Sequence, residues 1–255
     1  MTADARALLA AHLRQRRELG DGELVLGRHT APELTAALAE QRRASTAATS
    51  KPAEGVLVAS SADFPSTEEI LQIGDLARLR EVALGCPRCK LAETRQQVVF
   101  GEGDPHARVM VVGEAPGADE DRTGRPFVGR AGKLLDLLLA SVGLPRGSVY
   151  ICNVLKCRPP GNRNPAAEEV EACSPYLVKQ VELIAPAAIV AFGTFAAQTL
   201  LATRESIGRL RGGTHSYRGV PLVSTYHPAA LLRNPAWVLP VWRDLQRVRA
   251  LLEAA

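Results

Sequence analysis

Val109-Met110-Val111-Val112-Gly113-Glu114-Ala115-Pro116-Gly117 is the stretch that decides the fold. Its four apolar residues run without alternation, three of them are β-branched, and a Gly/Pro-rich turn then stops the run. A strand apolar on both faces belongs inside a parallel sheet covered on both sides. Glycine and proline make the tight turn into the next element. The next element is helical, with leucines at helical spacing from Leu134 to Leu139. The same unit recurs downstream. Val149-Tyr150-Ile151 precedes a helical period from Val170 to Ile184, and Ala188-Ile189-Val190-Ala191-Phe192 precedes one from Phe195 to Leu201. Val220-Pro221-Leu222-Val223-Ser224 then leads to a helix from about Val238 to Leu252. This order predicts an α/β protein, a three-layer α/β/α sandwich on a short, mainly parallel central sheet. Ligands of such sheets bind beyond the carboxyl ends of the strands. The loops after Val112, Cys152, Phe192 and Thr225 are therefore expected to line one cleft.

Upstream the pattern changes. Residues 1–43 hold two helix-like stretches, one on Ala5, Leu8, Leu9 and Leu13, the other on Leu34, Ala37 and Leu38. Residues 44–67 are rich in Ala, Ser, Thr and Pro, the composition of a linker. The expected organisation is an N-terminal helical extension and flexible linker over 1–67 and one domain over 68–255. No apolar run is long enough to span a membrane. The N-terminus lacks the apolar core of a secretory signal, so a cytoplasmic location is expected. Lys and Arg number 31 against 27 Asp and Glu, a net charge of +4. That suits a polyanion-binding surface without establishing one.

The loops hold the unusual residues. After Val112 come Glu114, Asp119, Glu120 and Asp121, four acids within eight residues. Acids so dense beside a polyanion site need a task, such as orienting water next to a developing cation. The second loop, Asn153-Val154-Leu155-Lys156-Cys157-Arg158-Pro159-Pro160-Gly161-Asn162-Arg163-Asn164-Pro165, is basic and stiffened by proline. Its Lys156, Arg158 and Arg163 suit phosphates, or simply a rigid surface loop. The last loop, Tyr226-His227-Pro228-Ala229-Ala230-Leu231-Leu232-Arg233-Asn234-Pro235, puts a histidine just after a strand. A histidine in isolation is more often structural than catalytic.

Five cysteines occur, at 86, 89, 152, 157 and 173. In a reducing compartment disulfides are not expected. Cys152 reads as a small buried hydrophobe within its strand. The turn Cys86-Pro87-Arg88-Cys89 does not, because a CxxC spacing brings two sulphurs near one point.

Taken together, GEAPG, ED, GRPFVGRAG, NVLKCRPPGNRNP and YHPAALLRNP, in that order behind CPRC, resemble the family 4 uracil-DNA glycosylases. The resemblance covers roughly residues 75–255 and leaves residues 1–67 outside. It implies a monofunctional DNA-repair enzyme that flips uracil out of single- or double-stranded DNA and hydrolyses its N-glycosidic bond. It also implies a [4Fe–4S] cluster on Cys86, Cys89, Cys157 and Cys173, with Cys152 outside the set. By chemistry alone four thiolates suit structural zinc equally well.

The resemblance further assigns roles. Phe127 stacks on uracil, with Ala115 beside it, and Asn153 reads the O4/N3 edge with a donor and an acceptor together. His227 donates to O2 as the base leaves, while Glu114 and Glu120, with Asp121 as a further candidate, favour the cationic sugar and hold the water. Leu231 wedges into the base stack. Arg233 and Asn234 grip the backbone, and Arg130, Arg158 and Arg163 contact DNA. A monomer is expected, with residues 1–67 as a possible attachment for a protein partner. Two alternatives stay open. One is a uracil-DNA-binding protein that traps the abasic sugar covalently, for which His215 is the nearest candidate although the basic Lys-Arg-Arg-Ile-His motif is missing. The other is a non-catalytic iron–sulphur module of the replication machinery.

Overall fold

The computed structural model describes residues 64–254. The extension and most of the linker expected over 1–67 lie outside the described residues. Six strands form one sheet: β1 (Glu102–Gly103), β2 (Val109–Gly113), β3 (Tyr150–Asn153), β4 (Ala188–Phe192), β5 (His215–Tyr217) and β6 (Val220–Thr225). Their spatial order is β1-β3-β2-β4-β6-β5. The inner four are parallel, with Val111 opposite Ile151 on one side and Val190 on the other, and Val190 in turn opposite Val223. The edges β1 and β5 are antiparallel and only two and three residues long. Short edges offer little template for pairing with another chain.

The apolar run from Val109 to Val112 forms β2 together with Gly113, and all five residues are buried. Side chains alternate between the faces of a strand, so Val109 and Val111 enter one core and Met110 and Val112 the other. The first core is closed by α4 (Arg130–Ala140), through Leu135, Leu138 and Leu139, and by α9 (Val238–Ala254), through Val241, Leu245 and Val248. The second is closed by α5 (Ala167–Ile184), through Leu177, Val181 and Ile184, and by α6 (Thr194–Leu201), through Ala196, Ala197 and Leu200. At about 1.5–3 kcal/mol for each large apolar side chain fully buried, these two faces dominate the stability of the domain. The expected α/β sandwich is the observed one.

Pro175 sits inside α5 and leaves the carbonyl of Glu171 without its helical donor. The Ser174 hydroxyl takes that place, donating to Glu171 O at 3.0 Å. Two further short helices pack on α5. α1 (Thr67–Leu71) starts at a capping box between Ser66 and Glu69, and α2 (Leu76–Leu84) at the Asp75 carboxylate, which accepts from Arg78 N. With α5 they enclose a third cluster of Ile70, Leu79, Phe100, Leu155 and Tyr176, against which Phe64 packs. Phe64 and Ser66 thus belong to the folded body, on the N-terminal side of the expected boundary at 67/68.

Between β2 and α4 runs α3 (Ala118–Thr123). α7 (Ile207–Leu210) precedes β5, and α8 (Pro228–Leu231) follows β6. Among the described residues no helix is long and apolar enough to cross a membrane.

Candidate active site at the carboxyl ends of the strands

Gly113 ends β2 directly opposite Asn153, the last residue of β3. The two chains stay zipped beyond the strands, with Val154 N donating to Gly113 O at 2.9 Å and Leu155 N to Glu114 O at 3.0 Å. A Cβ at Gly113 would press on Asn153 Oδ1 and lie 2.6 Å from Phe127 Cζ. Only glycine lets the amide and the ring converge there.

Phe127 adopts φ +50, a costly conformation for a bulky residue that persists only where its surroundings impose it. Arg146 imposes it from one side, donating to Phe127 O at 3.2 Å and Pro126 O at 2.6 Å. Glu120 imposes it from the other, accepting from Val128 N at 2.9 Å and Gly129 N at 3.0 Å. Beneath, Gly132 in the first turn of α4 is so close to the Phe127 carbonyl that any side chain would collide with it.

His227 caps α8 and completes the group. Its ring stacks on that of Phe127, with centroids 5.6 Å apart and planes at 29°. Nδ1 accepts from Ala229 N at 3.2 Å, so the proton of the neutral ring sits on Nε2. Burial, helped by the nearby Arg233 charge and opposed by Glu120, holds its pKa down at about 4. His227 is therefore a neutral Nε2–H donor at physiological pH.

The acids separate sharply. Glu114 is half-buried and burial alone pushes its carboxyl above the usual range. Glu120, expected to hold water, instead accepts from three main-chain amides, those of Val128 and Gly129 and that of Gly117 at 3.1 Å. Those bonds occupy the carboxylate and make it a fastener of the Phe127 loop. Asp121 is 3% exposed and accepts from Gln96 N at 2.9 Å. Of the three, only Glu114 has no main-chain amide bonded to its carboxylate among the described residues.

Two more expectations are corrected. Leu231 is 2% exposed and packs in the first core. The exposed leucine is its neighbour Leu232, at 43%. Lys156 faces inward rather than toward phosphates, because its ammonium bonds Asn153 O and Gln180 Oε1.

Of the remaining expected contacts, Arg130 and Arg233 are exposed, and Asn234 caps the turn Pro235–Trp237. Arg158 donates to Asn162 Oδ1 at 2.8 Å. Arg163 pairs with the Glu169 carboxylate, so both arginines also brace their loop. Ala115 packs at the edge of the third cluster. His215 lies opposite Leu222, part-way along β6, with its ring bonded to Leu210 O. It is not among the residues gathered over Gly113.

Sequence reasoning missed Arg146 and Asp244. Asp244 is 1% exposed and accepts from Thr225 Oγ1 at 2.7 Å and Arg211 Nε at 3.1 Å, tying the end of β6 to α9. Arg211 lies over the Tyr226 ring, which stacks on Trp237. The available signal was an aspartate on the apolar stripe Val241, Asp244, Leu245, Val248, where a charge must have partners. A concavity elsewhere, lined mainly by apolar residues including Val154, Leu177, Phe195 and Tyr217, contains none of the residues gathered over Gly113.

A second centre adjoins the first. Cys86, Cys89, Cys157 and Cys173 line one small cavity with Arg88, Arg95, Lys156 and Tyr176. Arg95 donates to Cys157 Sγ at 3.4 Å and Lys156 N to Cys173 Sγ at 3.3 Å. Among the described residues the buried Tyr176 hydroxyl has no hydrogen-bond partner. Burial pushes the Cys157 thiol up to about 11 and Cys173 to about 12. Among the described residues no three Cys, His, Asp or Glu side chains draw close enough to hold a single metal ion. Cys152 lies instead in the second core.

An α/β sheet whose strand ends bring an amide and an aromatic ring together over one glycine, with a neutral histidine stacked on that ring, has the groups that a base-recognising enzyme needs. The sequence profile of the uracil DNA glycosylase superfamily matches residues 100–246. The chain is 48% identical to the type-4 uracil-DNA glycosylase of Pyrobaculum aerophilum over 170 residues, 64% of this chain and 87% of that protein. It is 42% identical to the type-4 enzyme of Thermotoga maritima over 190 residues, 73% of this chain and 96% of that one. A type-5 uracil-DNA glycosylase of Pyrobaculum aerophilum is 40% identical over 151 residues, 52% of this chain and 66% of that protein. The chain belongs to the uracil-DNA glycosylase superfamily, in its type-4 family.

Proposed function

We propose that this protein is a DNA-repair glycosylase that excises uracil and leaves an abasic site. The observation that carries the reading is the convergence of Asn153 and Phe127 over Gly113, with His227 stacked on the Phe127 ring, neutral and with its free proton on Nε2. Breaking an N-glycosidic bond builds positive charge on the sugar and negative charge on the departing base. The base must first leave the stack, because the reacting carbon is shielded inside DNA. The Phe127 ring offers a face on which the flipped base stacks. The Asn153 amide presents a donor and an acceptor together to the O4/N3 edge, which cytosine matches poorly.

His227 then donates Nε2–H to O2 as charge grows there. A neutral donor suits this task, since it strengthens as the acceptor becomes anionic without transferring its proton. Glu114, free of amide partners, is the carboxylate that orients the attacking water and opposes the sugar's positive charge. Leu232 takes the wedge role in place of Leu231, next to the exposed Arg233.

The residues around the cysteine cavity fit an iron–sulphur group. Four thiols and an unpartnered hydroxyl face one space, while a single zinc would need its four sulphurs roughly 3.8 Å apart. A [4Fe–4S] cluster spaces its thiolates more widely because each binds a different iron. Bound there it would act as a cross-link between the CxxC turn, the loop of Cys157 and α5, with no part in the chemistry at the base.

The test is incubation of the full chain with a uracil-containing oligonucleotide, followed by alkali and a gel. Cleavage at the uracil position is expected. An intact strand at high protein concentration would end the reading.

A further inference from the structure

Lys156 is the cation of the basic loop that the protein buries. It is 2% exposed, and its Nζ donates to Asn153 O at 2.7 Å and Gln180 Oε1 at 2.6 Å. Gln180 cannot turn away, because its Nε2 donates to Phe100 O at 2.9 Å and to the Tyr150 hydroxyl at 3.2 Å. Among the described residues no carboxylate pairs with the Lys156 ammonium, and an ammonium taken out of water without a counter-ion is costly. Its other neighbour is the cysteine cavity. Lys156 lines that cavity, its own N–H donates to Cys173 Sγ, and Cys157 follows it in the chain.

We propose that Lys156 is a positioning residue that joins the two centres: its ammonium, balanced by the cysteines of the cavity once they hold a cluster as thiolates, fixes the main chain at Asn153 and so aims the amide that reads the base. The carbonyl it holds belongs to the last residue of β3, at the end of the paired register with β2. The side chain closes a three-residue turn there, much as a cap closes a helix. This assignment rests on the glycosylase reading.

Two variants separate charge from hydrogen bonding. Lys156→Met removes both, and Lys156→Gln keeps a donor near Asn153 O while removing the charge. Purified, iron-loaded proteins are compared for single-turnover excision from uracil and cytosine substrates, and for the reduction potential of the iron–sulphur centre. Lys156→Met is expected to lose roughly 10-fold or more in rate on uracil, as displaced catalytic geometry does, with a smaller uracil-to-cytosine ratio. Its potential should fall, because a positive charge beside the thiolates favours the more negative, reduced state. Lys156→Gln should recover part of the ratio but keep the lowered potential. A lysine that merely fills the core would change the unfolding midpoint and leave the potential unmoved. A folded Lys156→Met with the wild-type ratio and potential overturns the proposal, and Lys156→Gln applies the same criterion to the potential if the methionine variant does not fold. Wild-type protein in the same assay keeps the two ideas apart: inactivity there defeats the glycosylase reading, whereas an active wild type with indifferent variants defeats only the role of Lys156.

Discussion

The rings of Phe127 and His227 lie 5.6 Å apart, although their loops leave strands separated by β4. Phe127 is carried by the connection after β2 and His227 by the turn after β6, so the contact spans the middle of the sheet. Both loops are fastened, the first by Glu120 and Arg146 and the second by Asp244 at the end of β6.

His227 and Asn153 should fail differently when replaced. His227→Ala should slow single-turnover excision by roughly 10²–10³-fold, the loss of one oxyanion-type donor, with binding to uracil DNA little changed. Asn153→Asp should slow the reaction and also raise relative activity on cytosine. Excision from matched uracil and cytosine oligonucleotides checks both, and a wild-type rate for His227→Ala would make the histidine purely structural.

The acid limb of the pH–rate profile should belong to Glu114. Burial raises its carboxyl, and the water-orienting form is ionised, so the rate falls with decreasing pH above the ordinary carboxylate range. His227 adds no inflection between pH 6 and 7, because its pKa lies at about 4. An acid with a raised folded-state pKa lowers stability once pH exceeds both its pKa values. Glu114→Gln should therefore be at least as stable as wild type at pH 7 while losing activity and the limb. Rates between pH 4 and 8, with urea melts at pH 7, decide it.

Glu120 should matter to the fold first. Glu120→Ala leaves the amides of Gly117, Val128 and Gly129 without their carboxylate, at about 1–3 kcal/mol for each donor that water does not reach. Denaturant unfolding should show that loss, and activity should fall with the Phe127 loop. Unchanged stability with a Glu114-like pH effect would return Glu120 to the chemistry.

Leu231 and Leu232 should trade the effects that adjacency hides. Leu231→Ala removes a core side chain and should cost about 2–5 kcal/mol. Leu232→Ala should leave stability within about 0.5 kcal/mol and slow excision from duplex DNA more than from single strands. Equal slowing on both substrates would argue against a wedge.

Cys157→Ser should lose iron and visible absorbance, since Cys157 lines the cavity with three other cysteines. Cys152→Ser should keep both, because Cys152 is buried in the second core. Iron analysis of the two proteins separates them, and equal loss from both would show the ligand set to be wrong.

The amino-acid pattern by itself determined the sheet and the place of the cleft. A run apolar on both faces, such as Val109 to Val112, has one stable location, between two covered faces, and the chain's alternation of such runs with helical periods left little topological choice. Asn153 and His227 were singled out by the resemblance of their segments to known glycosylases, since by pattern alone a histidine after a strand is more often structural. What only tertiary structure decided was which of several like groups is free to act. Glu114 and Glu120 are the same acid in neighbouring turns, and they differ only because the chain returns with the Val128 and Gly129 amides to meet one of them. Leu231 and Leu232 differ by one step of helical phase against a core built from distant strands. Lys156 reads as one more surface cation until Gln180 and Cys173, on a helix further along the chain, close around it. Hydrophobic periodicity is written locally, whereas the occupancy of a polar group depends on partners that only folding brings within reach.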